Sequence, residues 1–384
     1  MKFVKRFFSI IFSAVLIYAA GLGVYYYLTL REIRSVPQEG LDAQQIFTPG
    51  SENVIPLSTF YYNMLSDNAK VAYVRLLNGY HNAEEGIKVP PVTSEEFSDV
   101  IEALRNDNPD RPAFGCHWYL THNSFYDTII PSEDVTDKIA LEMPLRQKMI
   151  GILTDLPDGD DYEKELYIHD YIVNHCTYKQ TDESNNAYGV LWEAEAVCTG
   201  YARAMQLLLC SIGIPTTVIS GDACDDDGNW EAHMWNYILL DGEYYFVDPT
   251  WDDPRSDRQE NTICHRYFNV NSHILNIDHK NYDTTVFSTS AEADNYFVRS
   301  GSVFDFYNSD TIREAAQHFI KNPETDEMFL EICFSNDTAF QDAEEGFFES
   351  DGDDLRMLIH EAGLSTDSVY HTSSEEHRYI RISF

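Results

Sequence analysis

Apolar residues recur at helical spacing in the middle of the chain. Tyr201, Ala204, Met205, Leu208, Leu209 and Ile212 fall at i, i+3, i+4, i+7 and i+8, a pattern that predicts a helix over 201–212 closed by Gly213 and Pro215. Downstream, residues 232–240 and 243–249 read as paired strands joined by the tight Asp241-Gly242 turn. Helical patterning also covers residues 60–80, 94–105, 132–153 and 162–176. Ser94-Glu95-Glu96-Phe97 reads as the start of the second of these, and in the last Leu166, His169, Asp170 and Val173 share helical spacing, with His169 read as structural. Toward the end, residues 328–334 read as a strand, 353–362 as a helix and 379–384 as a strand. The polar stretch over 31–50, with Pro37, Gly40, Pro49 and Gly50, reads as a linker.

The first thirty residues form a separate element. Lys2, Lys5 and Arg6 precede an uncharged apolar run over 7–30, long enough at ~1.5 Å per residue to span a hydrocarbon core of roughly 30 Å, whereas a signal-peptide apolar region is usually about 7–15 residues. Ala19-Ala20-Gly21 offers small residues for cleavage, but Val24-Tyr25-Tyr26-Tyr27-Leu28 continues the apolar stretch behind it. The expectation is an uncleaved, single-pass signal anchor. The leading basic residues place its N-terminus in the cytoplasm and the body outside, although Arg31 and Arg34 weaken the bias.

Composition changes this picture little. With 384 residues, 43% hydrophobic and 14% aromatic, the chain supports two or three packed domains. A formal net charge of −38 argues against nucleic acid or an anionic lipid surface as partner. It suits a cationic or amine-bearing partner, although acidic surfaces also serve solubility. The seven cysteines, Cys116, Cys176, Cys198, Cys210, Cys224, Cys264 and Cys333, are scattered and odd in number; nothing in their spacing forces pairing. Cys116-His117 and Cys264-His265 lack the second half of a zinc site. The stretch Asp225-Asp226-Asp227-Gly228-Asn229 lacks the glycine and glutamate of a calcium loop and reads as a hairpin turn. No metal and no cofactor is expected.

The candidate chemistry lies at the start of the central helix. Ala196-Val197-Cys198-Thr199-Gly200-Tyr201-Ala202-Arg203-Ala204 puts a thiol where unpaired backbone N–H groups and the positive end of the helix dipole favour a thiolate. Some way on comes His233, in Glu231-Ala232-His233-Met234-Trp235-Asn236-Tyr237, and then Asp248, in Tyr245-Phe246-Val247-Asp248-Pro249-Thr250-Trp251. In a thiol acyl-transfer site His233 takes the thiol proton and returns it to the leaving amine, Asp248 orients the imidazole, and the Cys198 N–H helps hold the oxyanion. Singly, each residue has a blander reading. A cysteine in an apolar helix is usually a small buried hydrophobe, the reading given to Cys210; His233 alone would be a hydrogen-bonded core residue, and Asp248 before Pro249 a turn former. Only the combination carries the catalytic reading.

These segments resemble the core of the transglutaminase-like superfamily, a papain-related fold with Cys, His and Asp in this chain order. Gly200-Tyr201-Ala202 after the cysteine, Trp235 two residues after the histidine, Asp248-Pro249-Thr250-Trp251, and upstream Tyr178 and Ala187-Tyr188-Gly189-Val190-Leu191 carry the likeness, over roughly residues 150–255. The stretch through Phe114, Trp118 and Tyr119 resembles the N-terminal extension of exported bacterial members. The resemblance implies an α+β fold, with the cysteine-bearing helix packed on an antiparallel sheet. It also implies Cys198, His233 and Asp248 as catalytic triad, and Tyr178 or Trp192 as a second oxyanion donor. The domains expected are the anchor at 1–30, the linker at 31–50, a helical domain at 51–149, the transglutaminase-like domain at 150–289 and a small α/β domain at 290–384, in which no chemical constellation stands out. The implied activity is an extracytoplasmic thiol enzyme that forms a Cys198 thioester from a protein or peptide substrate, expected in the cell envelope. Water as second nucleophile makes it a peptidase or amidase; an amine makes it a cross-linking transamidase. Family precedent tips the balance toward hydrolysis. The alternatives are a non-catalytic binding or scaffold protein on the same fold, and a glycan amidase, whose zinc-binding cysteine pairs are absent here.

Overall fold

The structure, a computed structural model, describes residues 2–35, 57–225, 228–253, 263–322, 328–349, 353–364 and 369–383, without the side chains of residues 2–11, 13 and 14. Most of the linker expected at 31–50, and residues 226–227 of the acidic turn, lie outside the described residues. The chain forms two compact units, Met1–Glu142 and Met143–Phe384.

The first unit holds α1 (Lys2–Arg34), α2 (Phe60–Met64), α3 (Asp67–Gly79), β1 (Ile87–Val89), α4 (Ser94–Asp107), β2 (Trp118–His122), β3 (Asp127–Pro131) and α5 (Val135–Ile139). The helical pattern over 60–80 is split into α2 and α3 at an extended Leu65, after which the Ser66 side chain caps the restart by accepting from Ala69 N. Helix α4 begins at Ser94, as the sequence pattern predicts, and is capped by Thr93. The Thr93 hydroxyl accepts from Glu96 N at 3.0 Å and the Glu96 carboxylate accepts from Thr93 N at 2.9 Å. This reciprocal box needs its acid three residues after the cap, which Thr93 meets and Ser94 does not. Besides its helices the unit carries an antiparallel sheet of order β1-β3-β2, built from strands too short to show a period. Tyr73, Leu76, Leu77, Val100, Leu104, Phe114 and Ile129 fill the core beneath. At the C-terminal end of α1, Ile33 is buried and its carbonyl accepts from Arg75.

The second unit runs through α6 (Glu142–Thr154), α7 (Asp161–His175), β4 (Thr177–Tyr178), β5 (Glu195–Ala196), α8 (Cys198–Ser211), β6 (Thr216–Cys224), β7 (Trp230–Leu240), β8 (Glu243–Val247), α9 (Ser272–Leu275) and β9 (His279–Lys280). The central sheet is antiparallel with order β8-β7-β6-β9. The expected turn between β7 and β8 is present: Asp241 and Gly242 both have positive φ, 50° and 88°, which is why this pair favours Asp-Gly. Helix α8 packs against β6, β7 and α7 and is buried from Gly200 to Ser211, so its apolar pattern reports a core helix. Asn236 of β7 donates to the Ala202 carbonyl at 2.8 Å, tying sheet to helix. Asp225 N donates to Asn229 O at 2.9 Å, closing the β6–β7 connection.

Beyond the core lie α10 (Tyr296–Ser300), β10 (Val303–Phe304), α11 (Ser309–Ala315), β11 (Ile320–Lys321), β12 (Met328–Phe334), α12 (Asp337–Glu344), α13 (Asp353–Glu361), β13 (Tyr370–Ser374) and β14 (Tyr379–Ser383). The expected strands and helix of the C-terminal segment appear as β12, β14 and α13. Phe304, Ile312, Leu330, Ile332, Phe340, Leu358 and Ile380 form its own core. A buried polar network fastens it to the central domain. His265 contacts Glu331 Oε2 through Nδ1 at 2.6 Å and Asp170 through Nε2 at 3.0 Å. His169 bridges Asp170 and Asp252, each at 3.1 Å, so it ties α7 to the segment after β8.

This network predicts a pH-dependent stability. Burial works against the His265 imidazolium, but Glu331 and Asp170 outweigh it and raise the pKa to about 10. Burial raises the Glu165 carboxyl to about 8. Relative to ordinary values of about 6.5 and 4.3, the His265 contribution is complete below pH ~6.5 and lost as pH rises through about 10, and the stability tied to neutral Glu165 is lost as pH rises from ~4.3 through about 8. Urea unfolding of the second unit should therefore have a lower midpoint at pH 9.5 than at pH 6.5, each group contributing up to about 1.4 kcal/mol per pH unit within its window. A flat or rising midpoint contradicts this.

Candidate active site

Cys198 is the first residue of α8, following an extended Val197 whose side chain supplies no cap. The loop before it is laced across this helix end. Val197 N donates to Ser184 O at 3.1 Å, Thr199 Oγ1 to Asn185 Oδ1 at 2.7 Å, and Arg203 to Asn185 O at 2.6 Å. Gly200 makes that approach possible: a Cβ there would lie 2.4 Å from Ser184 O and 2.8 Å from Ala196 Cβ. Strands β4 and β5 pair in parallel, with Tyr178 opposite Ala196, and this register brings Tyr178 close enough to Cys198 for the two to interact electrostatically.

His233 projects from β7 beside the Cys198 side chain, which adds to the electrostatics of the imidazole. Its Nε2 lies 2.6 Å from Asp248 Oδ2, which leaves Nδ1 to face the thiol. Asp248, fully buried just beyond β8, takes four hydrogen bonds. Oδ1 accepts from the backbone N–H groups of Thr250 and Trp251 at 3.0 and 3.2 Å, and Oδ2 accepts from His233 and also from His279 Nε2 at 3.1 Å. One Asp248 oxygen thus holds the turn that follows it and the other faces the two imidazoles.

Electrostatics follow from this packing. Burial disfavours the His233 imidazolium, but the charge and hydrogen bond of Asp248, with Cys198 adding to them, raise its pKa to about 10. Burial opposes ionisation of Asp248 too, and the two imidazoles overcome it, holding the carboxyl far below the usual range. Burial first, then the Cys198 and Glu231 charges, push the Tyr178 phenol up to about 12, so it keeps its proton at neutral pH. The arrangement holds a cationic imidazole beside a thiol, with an N–H and an O–H next to it.

The structure thus brings together Cys198, His233, Asp248 and Tyr178. Trp192 is 52% exposed and its ring stacks on Tyr188; among the described ring contacts it has none with the triad. Trp251, noted in the sequence only as part of a motif, packs its ring 5.6 Å from that of His233. His279 went unnoticed: it sits on a two-residue strand with no period and no motif around it. No disulfide joins any of the seven cysteines, all of them among the described residues, and Cys116, Cys176, Cys210 and Cys264 are buried. Two groups, His169-Asp170-His265 and His233-Asp248-His279, bring imidazole nitrogens and carboxylate oxygens within 4.8 Å of one another. In both, the histidine nitrogens aimed at the shared aspartate already hydrogen-bond to it.

If Gly200 sets the height of the Ser184–Asn186 loop over Cys198, Gly200→Ala should cost about 1–3 kcal/mol by overpacking and slow alkylation of Cys198 in the fraction that remains folded. Gly151→Ala, where a Cβ meets nothing within 4 Å, is the control and should leave that rate unchanged. Equal rates in both variants would contradict the packing argument.

Residues 152–249 match the family profile described as the Transglutaminase-like superfamily. No curated protein sequence matches the chain. Among solved structures, the crystal structure of a TGase is 12% identical, with 44% of this chain and 50% of that one covered at a TM-score of 0.24. A candidate cysteine protease from Cytophaga hutchinsonii is 15% identical, with 35% and 62% covered at a TM-score of 0.24. The periplasmic domain of TgpA from Pseudomonas aeruginosa, bound to ethylmercury, is 18% identical, with 33% and 55% covered at a TM-score of 0.18. The chain spans from 50% to 62% of the length of these structures, and the overlaps are too loose to bear on its substrate. The matched segment contains Cys198 and His233 and ends just past Asp248, on the helix and sheet described above, and residues 152–249 are a domain of the transglutaminase-like superfamily.

Proposed function

We propose that the protein is a thiol hydrolase of amide bonds, with a peptide or protein of the cell envelope as substrate and with Cys198, His233 and Asp248 as its catalytic triad. The observation that carries this reading is the 2.6 Å contact of His233 Nε2 with a fully buried Asp248, on an imidazole whose charge also feels the Cys198 side chain. The Cys198 thiolate attacks the amide carbonyl carbon, and the oxyanion takes the Cys198 N–H and, as second donor, the Tyr178 phenol proton. The His233 imidazolium gives its proton to the leaving amine as the carbon–nitrogen bond breaks, leaving a thioester. Water, deprotonated by His233, then attacks the thioester and releases the acid, returning the thiol.

Water as the second nucleophile is supported by the openness of the site. Cys198 is only partly buried, and Tyr178 and Trp192 are 40% and 52% exposed, so these groups do not seal the thioester from solvent. The proposal extends to location, with α1 as a membrane anchor and the second unit outside the cytoplasm. Supporting it are the length of α1, 33 residues, and the exposure of Phe12, Val15, Leu16, Ile17, Tyr18 and Val24 along it. Among the described residues no helix is long and apolar enough to cross a membrane. The run expected as anchor begins at Phe7, where side chains lie outside the described residues.

A panel of fluorogenic peptide amides, assayed with and without added methylamine, tests the activity. Acid product and a Cys198 acyl adduct by mass spectrometry are expected, with turnover falling at least roughly 10³-fold in Cys198→Ala and in His233→Ala. Methylamide as the main product would replace hydrolysis by transamidation, and activity surviving in Cys198→Ala would exclude the triad. For location, the full chain should sediment with membranes and become soluble when residues 1–35 are removed; a full chain recovered in the soluble fraction would remove the anchor from the account.

A further inference from the structure

His279 belongs to none of the motifs above, yet both of its ring nitrogens are committed beside the site. It is 1% exposed, on the edge strand β9, where it pairs with Ala223 of β6. Its Nε2 lies 3.1 Å from Asp248 Oδ2 and its Nδ1 2.6 Å from Asp278 Oδ1. Carboxylate oxygens only accept, so each ring nitrogen must donate, and an imidazole with two N–H groups is a cation. The rings of Trp235, Trp251 and Tyr267 surround it with centroids at 4.9, 5.0 and 5.5 Å.

The charged and titratable groups facing it come from several elements. From β7 comes the His233 ring, 5.8 Å away between centroids, and from the end of β8 comes Asp248. Its own strand is preceded by Asp278, whose other oxygen accepts from the Tyr267 hydroxyl at 2.5 Å. From between β13 and β14, His377 Nε2 lies 3.3 Å from that same oxygen. Burial and the Arg266 charge push His377 down to about 4, so it is neutral. Arg266 itself lies over the Tyr267 ring. Asp248 Oδ2 is therefore shared between two histidine rings, of which only His233 is coupled electrostatically to Cys198.

We propose that His279 is a positioning residue: as an imidazolium held between Asp248 and Asp278, it fixes the Asp248 carboxylate with a second hydrogen bond and offsets that carboxylate's hold on the His233 proton. This rests on the reading of Cys198, His233 and Asp248 as a triad. A carboxylate serving His233 alone would keep the proton there too firmly for efficient transfer to a leaving amine, because a general acid works best with a pKa near the operating pH. The second cation on Asp248 lowers that hold without adding a group that touches substrate. Removing it raises the His233 pKa. A unit charge 5.8 Å away at an effective dielectric constant of about 20 shifts a titration by roughly two pH units, before solvent screening reduces it.

Exchange of the imidazole C2 hydrogen for deuterium, followed by mass spectrometry of the full chain, reads His233 and His279 individually; the alkylation rate of Cys198 against pH gives a second readout. In the unaltered protein His279 should remain protonated beyond pH 8. In His279→Gln, which keeps an N–H donor for Asp248 but no charge, the His233 titration and the alkaline limb of the Cys198 profile should both move up by about one pH unit or more. Asp278→Asn, which leaves the His279 ring in place, should move both in the same direction by less. A role in packing alone would lower the melting temperature of these variants without moving the titration of the molecules that stay folded. An activated Cys198 whose alkaline limb stays put in both variants, or a His279 that loses its proton below pH 7, overturns the proposal. A Cys198 that is unreactive in the unaltered protein overturns the triad reading instead, and is recognised by its appearing before any substitution is made.

Discussion

A fully buried carboxylate, Asp248, is the constraint on which the rest of the site depends. Taking a charge out of water is costly unless its oxygens are satisfied, and Asp248 meets that demand with two backbone N–H groups and two imidazoles. Each donor fixes part of the fold. The backbone pair requires the Asp-Pro-Thr-Trp turn immediately after β8. His233 requires β7 in a register that sets it opposite Gly221, on the same side as the start of α8. His279 requires the short strand β9 to close the edge of β6. A slip of one residue in β7 would turn His233 to the other face of the sheet and leave the carboxylate short of a donor.

The same logic extends away from the thiol. Asp278, which anchors His279, is also held by Tyr267 and approached by His377 from the C-terminal sheet. Glu331 on β12 takes His265 and the Tyr379 hydroxyl, both at 2.6 Å. The C-terminal segment, which carries no chemical signature in the sequence, therefore supplies buried partners to the histidine networks behind the site.

Legibility in the sequence followed the physics of each element. The helix around Cys198 was readable because its apolar face repeats, but the repeat begins at Tyr201; the first turn is Cys198-Thr199-Gly200, which announces itself through chemistry and a close-packed glycine. The Asp241-Gly242 turn was readable because positive φ at both positions selects those residues. Strands β12 and β14 and helix α13 stand where their patterns put them. The start of α4 at Ser94 was readable from Ser94-Glu95-Glu96-Phe97, with Thr93 before it supplying the cap. The sheet of the first unit and strand β9 were not readable, being too short for a period. His279 was invisible because the contact that ties it to the site is made with a residue 31 positions away. The anchor expected over 7–30 begins where side chains lie outside the described residues.

The central claim is that His233 makes Cys198 the nucleophile of the site. Competitive alkylation of all seven cysteines at pH 6, resolved by peptide mapping in the full chain and in His233→Ala, tests it most directly. Cys176 is a built-in reference, since burial pushes its thiol up to about 12. The account predicts that Cys198 labels up to about a hundredfold faster than an ordinary exposed thiol and that the His233 substitution removes the advantage. A Cys198 that labels at the ordinary rate, or one indifferent to His233, would contradict the account.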